Sequence, residues 1–223
     1  ARVFLELDQL YKKLGMDVKE RLSNYKKQDG LAEQRDDLYV EYITLLNAAG
    51  HYKEALDCMM AHHFHPWEGG EGKITTQYEL SLLELAKERM AAGDYNNAEQ
   101  LLQGAFTYPE NLGEGKLEGT KGNHLYYYLG KCFKAQNKNE EAKECFQKAT
   151  LGTDEPAGAM YYNDQPAEMI LYQGLAWQEL GMATQAKSRF YRLLDYGERH
   201  LYDNVKIDYF AVSLPDFIIF DED

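Results

Sequence analysis

Apolar side chains recur along this chain at the three- and four-residue spacing that keeps one face of an α-helix dry. The pattern begins at once, with Val3-Phe4-x-x-Leu7-x-x-Leu10-Tyr11. Four later segments superimpose on a turn residue followed by an alanine: Gly50-His-Tyr52-x-x-Ala55, Gly93-Asp-Tyr95-x-x-Ala98, Asn137-Lys-Asn139-x-x-Ala142 and Gly181-Met-Ala183-x-x-Ala186. The four alanines are spaced by 43, 44 and 44 residues. Four residues beyond each stands a large apolar side chain, Met59, Leu102, Phe146 or Phe190, one helical turn further along the same face. Three beyond those are His62, Ala105, Ala149 and Leu193. Twelve residues before the alanines come Ile43, Ala86, Gly130 and Gly174, and sixteen before them Tyr39, Leu82, Tyr126 and Ile170. Two helices are therefore in phase in every unit, which predicts an antiparallel hairpin closed by a Gly turn and packed closely at a small alanine.

A single hairpin leaves its apolar face uncovered, so such units stack on their neighbours. The expectation is an all-α fold, a right-handed α-solenoid of antiparallel helix hairpins, forming one array over residues 1–223. Approximate units fall at 1–30, 31–74, 75–117, 118–163 and 164–202, with a C-terminal extension at 203–223. The stretch from Arg2 to Lys27, broken at Leu14-Gly15, reads as a degenerate unit. Neither end carries an obvious polar cap, and the chain closes on the apolar run Tyr209–Phe220, so a piece of a longer protein is expected.

Leu129-Gly130, Phe133, Ala142, Phe146, Ala149 and Pro156, with Gly174, Trp177, Gly181, Ala186 and Phe190, resemble the tetratricopeptide repeat. The period departs from that family's usual length of about 34 residues. The excess lies in inserted loops: His65–Ile74, Tyr108–Leu117 and Gly152–Pro166. The first two are themselves similar, Pro66 matching Pro109 and Gly-Glu-Gly-Lys recurring at 70–73 and 113–116. Insertions at one place in successive repeats map to one face, which implies a ridge of loops. The strings Pro-Trp-Glu-Gly-Gly-Glu-Gly-Lys (66–73), Tyr-Tyr-Asn-Asp-Gln-Pro (161–166) and Asp-Tyr-Phe-Ala-Val-Ser-Leu-Pro-Asp (208–216) resemble bacterial proteins in which a galactose-mutarotase-like domain precedes a tetratricopeptide array. That resemblance implies a carbohydrate-related neighbour and brings no catalytic residue onto these positions.

Charge narrows the partners. The 223 residues hold 24 basic and 37 acidic side chains, a net charge of −13, with no clustered Lys/Arg surface. Nucleic acid and anionic membranes are excluded as partners on this ground, and no window is apolar enough to span a bilayer. With 44% hydrophobic residues the chain can bury a core, and only five prolines interrupt its helices. Cys58, Cys132 and Cys145 form no Cys-x-x-Cys pair, which argues against a disulfide framework or zinc knuckle and suits a reducing compartment such as the cytoplasm.

The Gly-Glu-Gly-Lys segments fail as phosphate loops, because Trp67 and Glu110 stand at the first-glycine positions and Ile74 and Leu117 replace the Ser/Thr. They read either as positive-φ turns braced by Glu and Lys, or as a binding ridge of Glu71, Lys73, Glu114 and Lys116. His62, His63 and His65 with Glu68 and Glu71 are the one cluster with metal-ligand chemistry. No second ligand set follows, so no metal is expected, and packing of His62 within a hairpin is preferred. Among the 18 tyrosines, Tyr126 is placed in the core and Tyr127 and Tyr128 on other faces of the same helix. Trp67, Tyr161 and Tyr162 lie in insertions and are candidates for surface recognition; Asn163 is a further binding candidate, and Asn163 or Asp164 is expected to cap the next helix. No catalytic signature is present, so neither an enzyme nor a cofactor is expected. The functional expectation is a scaffold binding a protein partner, or the parent's own neighbouring domain, through a concave groove and the loop ridge. The alternative is a carbohydrate-binding accessory module.

Overall fold

The computed structural model describes residues 1–116, 120–158 and 164–203. All their regular structure is helical: α1 (Arg2–Lys13), α2 (Val18–Lys26), α3 (Asp36–Ala48), α4 (Tyr52–Ala61), α5 (Lys73–Ala91), α6 (Tyr95–Gly104), α7 (Asn123–Ala135), α8 (Asn139–Ala149), α9 (Met169–Glu179) and α10 (Ala183–His200), with short 3₁₀ turns at Ala32–Gln34 and Glu110–Leu112. The fold class is thus all-α, built from consecutive helix hairpins.

Each hairpin is closed by the same backbone device. Gly15, Gly50, Gly93, Asn137 and Gly181 all have positive φ, between 60° and 81°. At the second hairpin, Gly50 N–H donates to Asn47 O (2.9 Å) and His51 N–H reaches back to Leu46 O (2.8 Å). The same two bonds recur at Gly15/Met16, Gly93/Asp94, Asn137/Lys138 and Gly181/Met182. Helix-end carbonyls that would otherwise lack partners are satisfied while the chain reverses, which is the Schellman arrangement. Asn137 fills the place of glycine in the third repeat, and asparagine is among the few residues that tolerate the left-handed region.

Two compact units divide the described residues. One holds 1–84 and 108–115; the other holds 85–107, 116, 120–158 and 164–203. In the first, a buried ion pair ties α1 to α2: the Arg21 guanidinium donates through Nε and Nη2 to both Asp8 oxygens (3.0 and 2.7 Å). Tyr25 donates its hydroxyl to the same carboxylate at 3.0 Å, and Glu41 on α3 lies 3.3 Å from Arg21 Nη2. Every group of this set has a partner, which a buried charge requires. Further along α3, buried Asn47 donates to Gln77 O and Oε1 and accepts from Ser81 Oγ, so α5 begins against α3 through polar as well as apolar contacts.

The second unit shows why the repeat pairs a glycine with a phenylalanine. A methyl group on Gly130 would come within 2.6 Å of the Phe146 ring, and one on Gly174 within 2.3 Å of the Phe190 ring. The aromatic side chain of the second helix thus lies against the bare backbone of the first. Ala142, Phe146, Ala149 and Ala176 form a buried cluster, with Tyr126, Tyr127, Phe133 and Leu180 packed on it. Tyr127 therefore shares the core side with Tyr126. The sequence pattern had set it on another face, but a long side chain on the flank of a helix can lean onto the same cluster. Lys131 and Lys134 on α7 both reach Glu179 on α9, at 2.8 and 2.6 Å.

Gly130→Ala separates the two effects of a methyl group. It adds about 1 kcal/mol of helix propensity and an overpacking cost of about 1–3 kcal/mol. Urea unfolding should show the variant less stable than wild type, and in a Phe146→Leu background, where the ring is gone, the same substitution should become neutral or stabilising.

Candidate functional site

The inserted segments after α4 and α6 form the candidate site of the first unit. Helix α4 stops at Ala61, and His62 turns extended (φ −114°, ψ 152°). Its ring packs edge-on against Tyr39 and Phe64, with centroids 4.8 and 4.6 Å away. Its Nε2 lies 2.7 Å from Asp36 Oδ1. The other oxygen, Asp36 Oδ2, accepts from the His65 backbone N–H at 2.7 Å and lies 3.1 Å from His65 Nδ1. Asp36 sits in the first turn of α3, where the helix dipole favours negative charge. Burial pushes its carboxyl upward, but the hydrogen bonds from His62 and His65 outweigh that and hold it below the ordinary aspartate range.

From there the two loops interlock. Phe64, 2% exposed, donates its N–H to Asn111 O at 2.8 Å, and Asn111 Nδ2 returns two bonds of 2.8 Å to the terminal carbonyls Met59 O and His62 O. Gly113 needs its hydrogen side chain, since a methyl group there would come 2.5 Å from Phe64 O. The face of the Trp67 indole rests on Gly70, where a methyl group would stand 2.1 Å from Cε2. Gly69 and Gly72 take positive φ, and Gly72 N–H donates to Glu114 Oε2 at 2.8 Å. Burial raises the Glu114 carboxyl, and the nearby charge of Glu71 adds to this, while the Gly72 bond opposes it. The first Gly-Glu-Gly-Lys loop is thus held by the glutamate of the second.

The sequence-level candidates accordingly separate. Glu114 is half-buried and braces the loops; Glu71 is exposed; Lys73 is the first residue of α5 and partly exposed. In the second unit Lys116 reaches Ala105 O at 3.3 Å and lies 5.8 Å from the centre of the Phe106 ring, and it starts no helix. Tyr161, Tyr162 and Asn163, like the segment 204–223, lie outside the described residues. Trp67 lines an open cleft of about 310 Å³ with Arg35, Asp36, Asp37, His65 and Pro66. Arg35 donates to both oxygens of Asp37, at 3.0 and 2.6 Å.

Arg35, Asp36 and Asn111 were invisible as site residues in the sequence. An acidic pair at a helix start signals only dipole complementation, and nothing periodic links Asp36 to histidines some 26 residues away. As to chemistry, His62 and His65 converge on a carboxylate rather than on a vacant coordination position. No three His, Cys, Asp or Glu side chains among the described residues stand in a metal-binding arrangement. The Cys132 and Cys145 thiols are pushed up to about 11 by burial, which makes them inert at neutral pH. No helix among the described residues is long and apolar enough to cross a membrane.

No family model matches the chain. Similar solved structures include MamA 41-end from Desulfovibrio magneticus RS-1, at 14% identity over 91% of this chain and 97% of that one, with a TM-score of 0.47. A MamA RS-1 ArsTM double mutant has 13% identity, the same coverages and a TM-score of 0.44. A crystal structure of MamA has 15% identity over 86% of this chain and 95% of that one, with a TM-score of 0.42.

The lowered Asp36 carboxyl has a sign that can be checked. A depressed carboxylate contributes stability above its unfolded value of about 3.9 and loses it as pH falls through the folded value. Carboxyl NMR titration should find Asp36 below the ordinary range and His62→Ala should move it upward. The stability difference between wild type and Asp36→Asn should hold near neutral pH and shrink in acid.

Proposed function

We propose that this chain is a non-catalytic protein-interaction scaffold that binds a protein partner, or the neighbouring domain of its parent, through its inter-hairpin loops. One observation carries the reading: the first two loops are ordered by side-chain-to-backbone bonds from Asn111, Asp36 and Glu114, while Glu68, Glu71 and Glu110 remain exposed along them. A loop surface fixed in advance loses little conformational entropy on binding, which is what recognition from a rigid scaffold needs. His62, His65, Asp36 and Glu114 are meanwhile occupied in holding the loops. Within this proposal Trp67, Glu71 and Lys73 form the contact surface and Glu114 supports it. Lys116 in the second unit, and Tyr161, Tyr162 and Asn163 by their position in the sequence, are proposed as separate contact groups.

Charge reversal tests this. The double variant Glu71→Lys/Lys73→Glu should keep the wild-type circular dichroism and melting curve, since both side chains are at least partly exposed. In quantitative cross-linking against the parent protein and its cellular partners it should lose at least tenfold of one defined contact. Equal cross-linking by both forms would remove the loops as the docking surface.

A second reading, the carbohydrate-binding module, is favoured by the cleft. There the indole of Trp67 stands with Arg35, Asp37 and His65, and a ring face beside planar polar groups suits a sugar. Calorimetry with neutral oligosaccharides should then give a binding heat that Trp67→Ala abolishes, and no heat with any of a broad panel would discard this reading.

A further inference from the structure

The cleft beside the first inserted loop is lined by Arg35, Asp36, Asp37, His65, Pro66 and Trp67, all within the first unit. At about 310 Å³ it has room for one long side chain rather than a folded element. Gly70 backs the indole of Trp67, since any side chain there would strike the ring. In that posture the indole N–H is buried without a hydrogen-bond partner. A tryptophan placed for packing alone would turn that N–H to an acceptor, so the loop holds the ring in the cleft against its own preference, as recognition sites do. Charge in the cleft is one-sided. Arg35 turns Nε and Nη2 onto the two oxygens of Asp37, at 3.0 and 2.6 Å, and this pair cancels. Asp36 carries the excess: burial works against its ionisation, but the hydrogen bonds from His62 and His65 outweigh that and keep its charge at neutral pH. Glu33 and Glu68, both exposed, stand two residues before Arg35 and next to Trp67 in the chain.

We infer that this cleft takes an arginine side chain from a basic segment of a protein partner, its guanidinium over the Trp67 ring and its donors toward Asp36. The inference rests on the protein-binding reading above and adds the chemistry of the partner. A guanidinium is the cation that both stacks on an aromatic face and offers a planar fork of donors to a carboxylate. An anionic segment would meet a chain at −13 and a guanidinium already committed to Asp37. A neutral sugar would stack on the ring but draw nothing from the negative charge around it. One side chain in an open cleft binds weakly by itself, so a dissociation constant on the order of 0.1–1 mM is expected for a short peptide at low salt.

Proton–nitrogen correlation NMR of the whole chain tests this, because its two tryptophans give two indole N–H signals and Trp177, in the other unit, serves as internal reference. Trp67→Phe identifies the signal of Trp67. A short blocked peptide of alternating Gly and Arg should shift that signal saturably and leave Trp177 in place, and peptides with Glu or Gln in place of Arg should not. Raising the salt from ~0.05 M to ~0.5 M should weaken the binding several-fold. Arg35→Gln should tighten it several-fold, because Asp37 is released to the incoming guanidinium, whereas a merely supporting Arg35 gives no gain. Trp67→Leu, read by calorimetry, should weaken it about tenfold or more. Circular dichroism should show both variants folded, as Arg35 is exposed and Trp67 partly so. No shift with the arginine peptide, an equal shift with the glutamate peptide, weaker binding in Arg35→Gln, or saturation by a neutral oligosaccharide instead would overturn the inference. If it falls while Glu71→Lys/Lys73→Glu still loses its cross-linked contact, the loop surface stands and only the partner's chemistry is wrong; if that contact is also unchanged, the docking reading falls with it.

Discussion

A single residue held at positive φ between the helices of each hairpin is the constraint on which the remaining structure depends. With that residue left-handed, two backbone bonds close the first helix and the chain reverses within a few residues, as at Gly50, Gly93 and Gly181. An ordinary residue would pay roughly 1–2 kcal/mol for the same conformation. Reversal at a fixed length also fixes the rotation of the second helix. The residue twelve places before the alanine and the one four places after it then face each other. Asn137 shows that the requirement belongs to the backbone and not to glycine as such.

In the two repeats that carry a glycine at the first-helix position, a large aromatic side chain fills the space. The first-helix residue changes from Ile43 through Ala86 to Gly130 and Gly174, while its second-helix counterpart changes from Met59 and Leu102 to Phe146 and Phe190. Where the first becomes glycine, the aromatic ring lies on its backbone. Interiors pack to near-crystalline density, so a smaller neighbour on one side calls for a larger one on the other.

The long insertions are held by a different means. Side-chain amides bind the carbonyls left over where the second helices end: Asn111 on Met59 and His62, Asn123 on Ala149 and Leu151. Gln165 and Thr153 exchange two bonds, and Gln173 adds contacts to Leu151 and Thr153. Polar groups thus order the first two loops together with the buried Phe64 and Leu112, while Glu68, Glu71 and Glu110 face water. The functional reading follows from that division of labour.

The hairpin period, the turn residue and the small alanine of the second helix were legible in the amino-acid sequence because each depends on interactions within one hairpin, repeated at a constant interval. The loops were not. Gly-Glu-Gly-Lys occurs twice, yet positive φ falls on Gly72 in the first copy and Gly113 in the second, and Lys73 begins a helix where Lys116 does not. Glu71 stays in water while Glu114 is drawn onto the Gly72 amide. Asp36 becomes the anchor of His62 and His65 only because α3 and the end of α4 are brought together. Local backbone preferences are written in neighbouring residues, whereas the partner of a loop carboxylate or a cleft-lining indole depends on what folding places beside it.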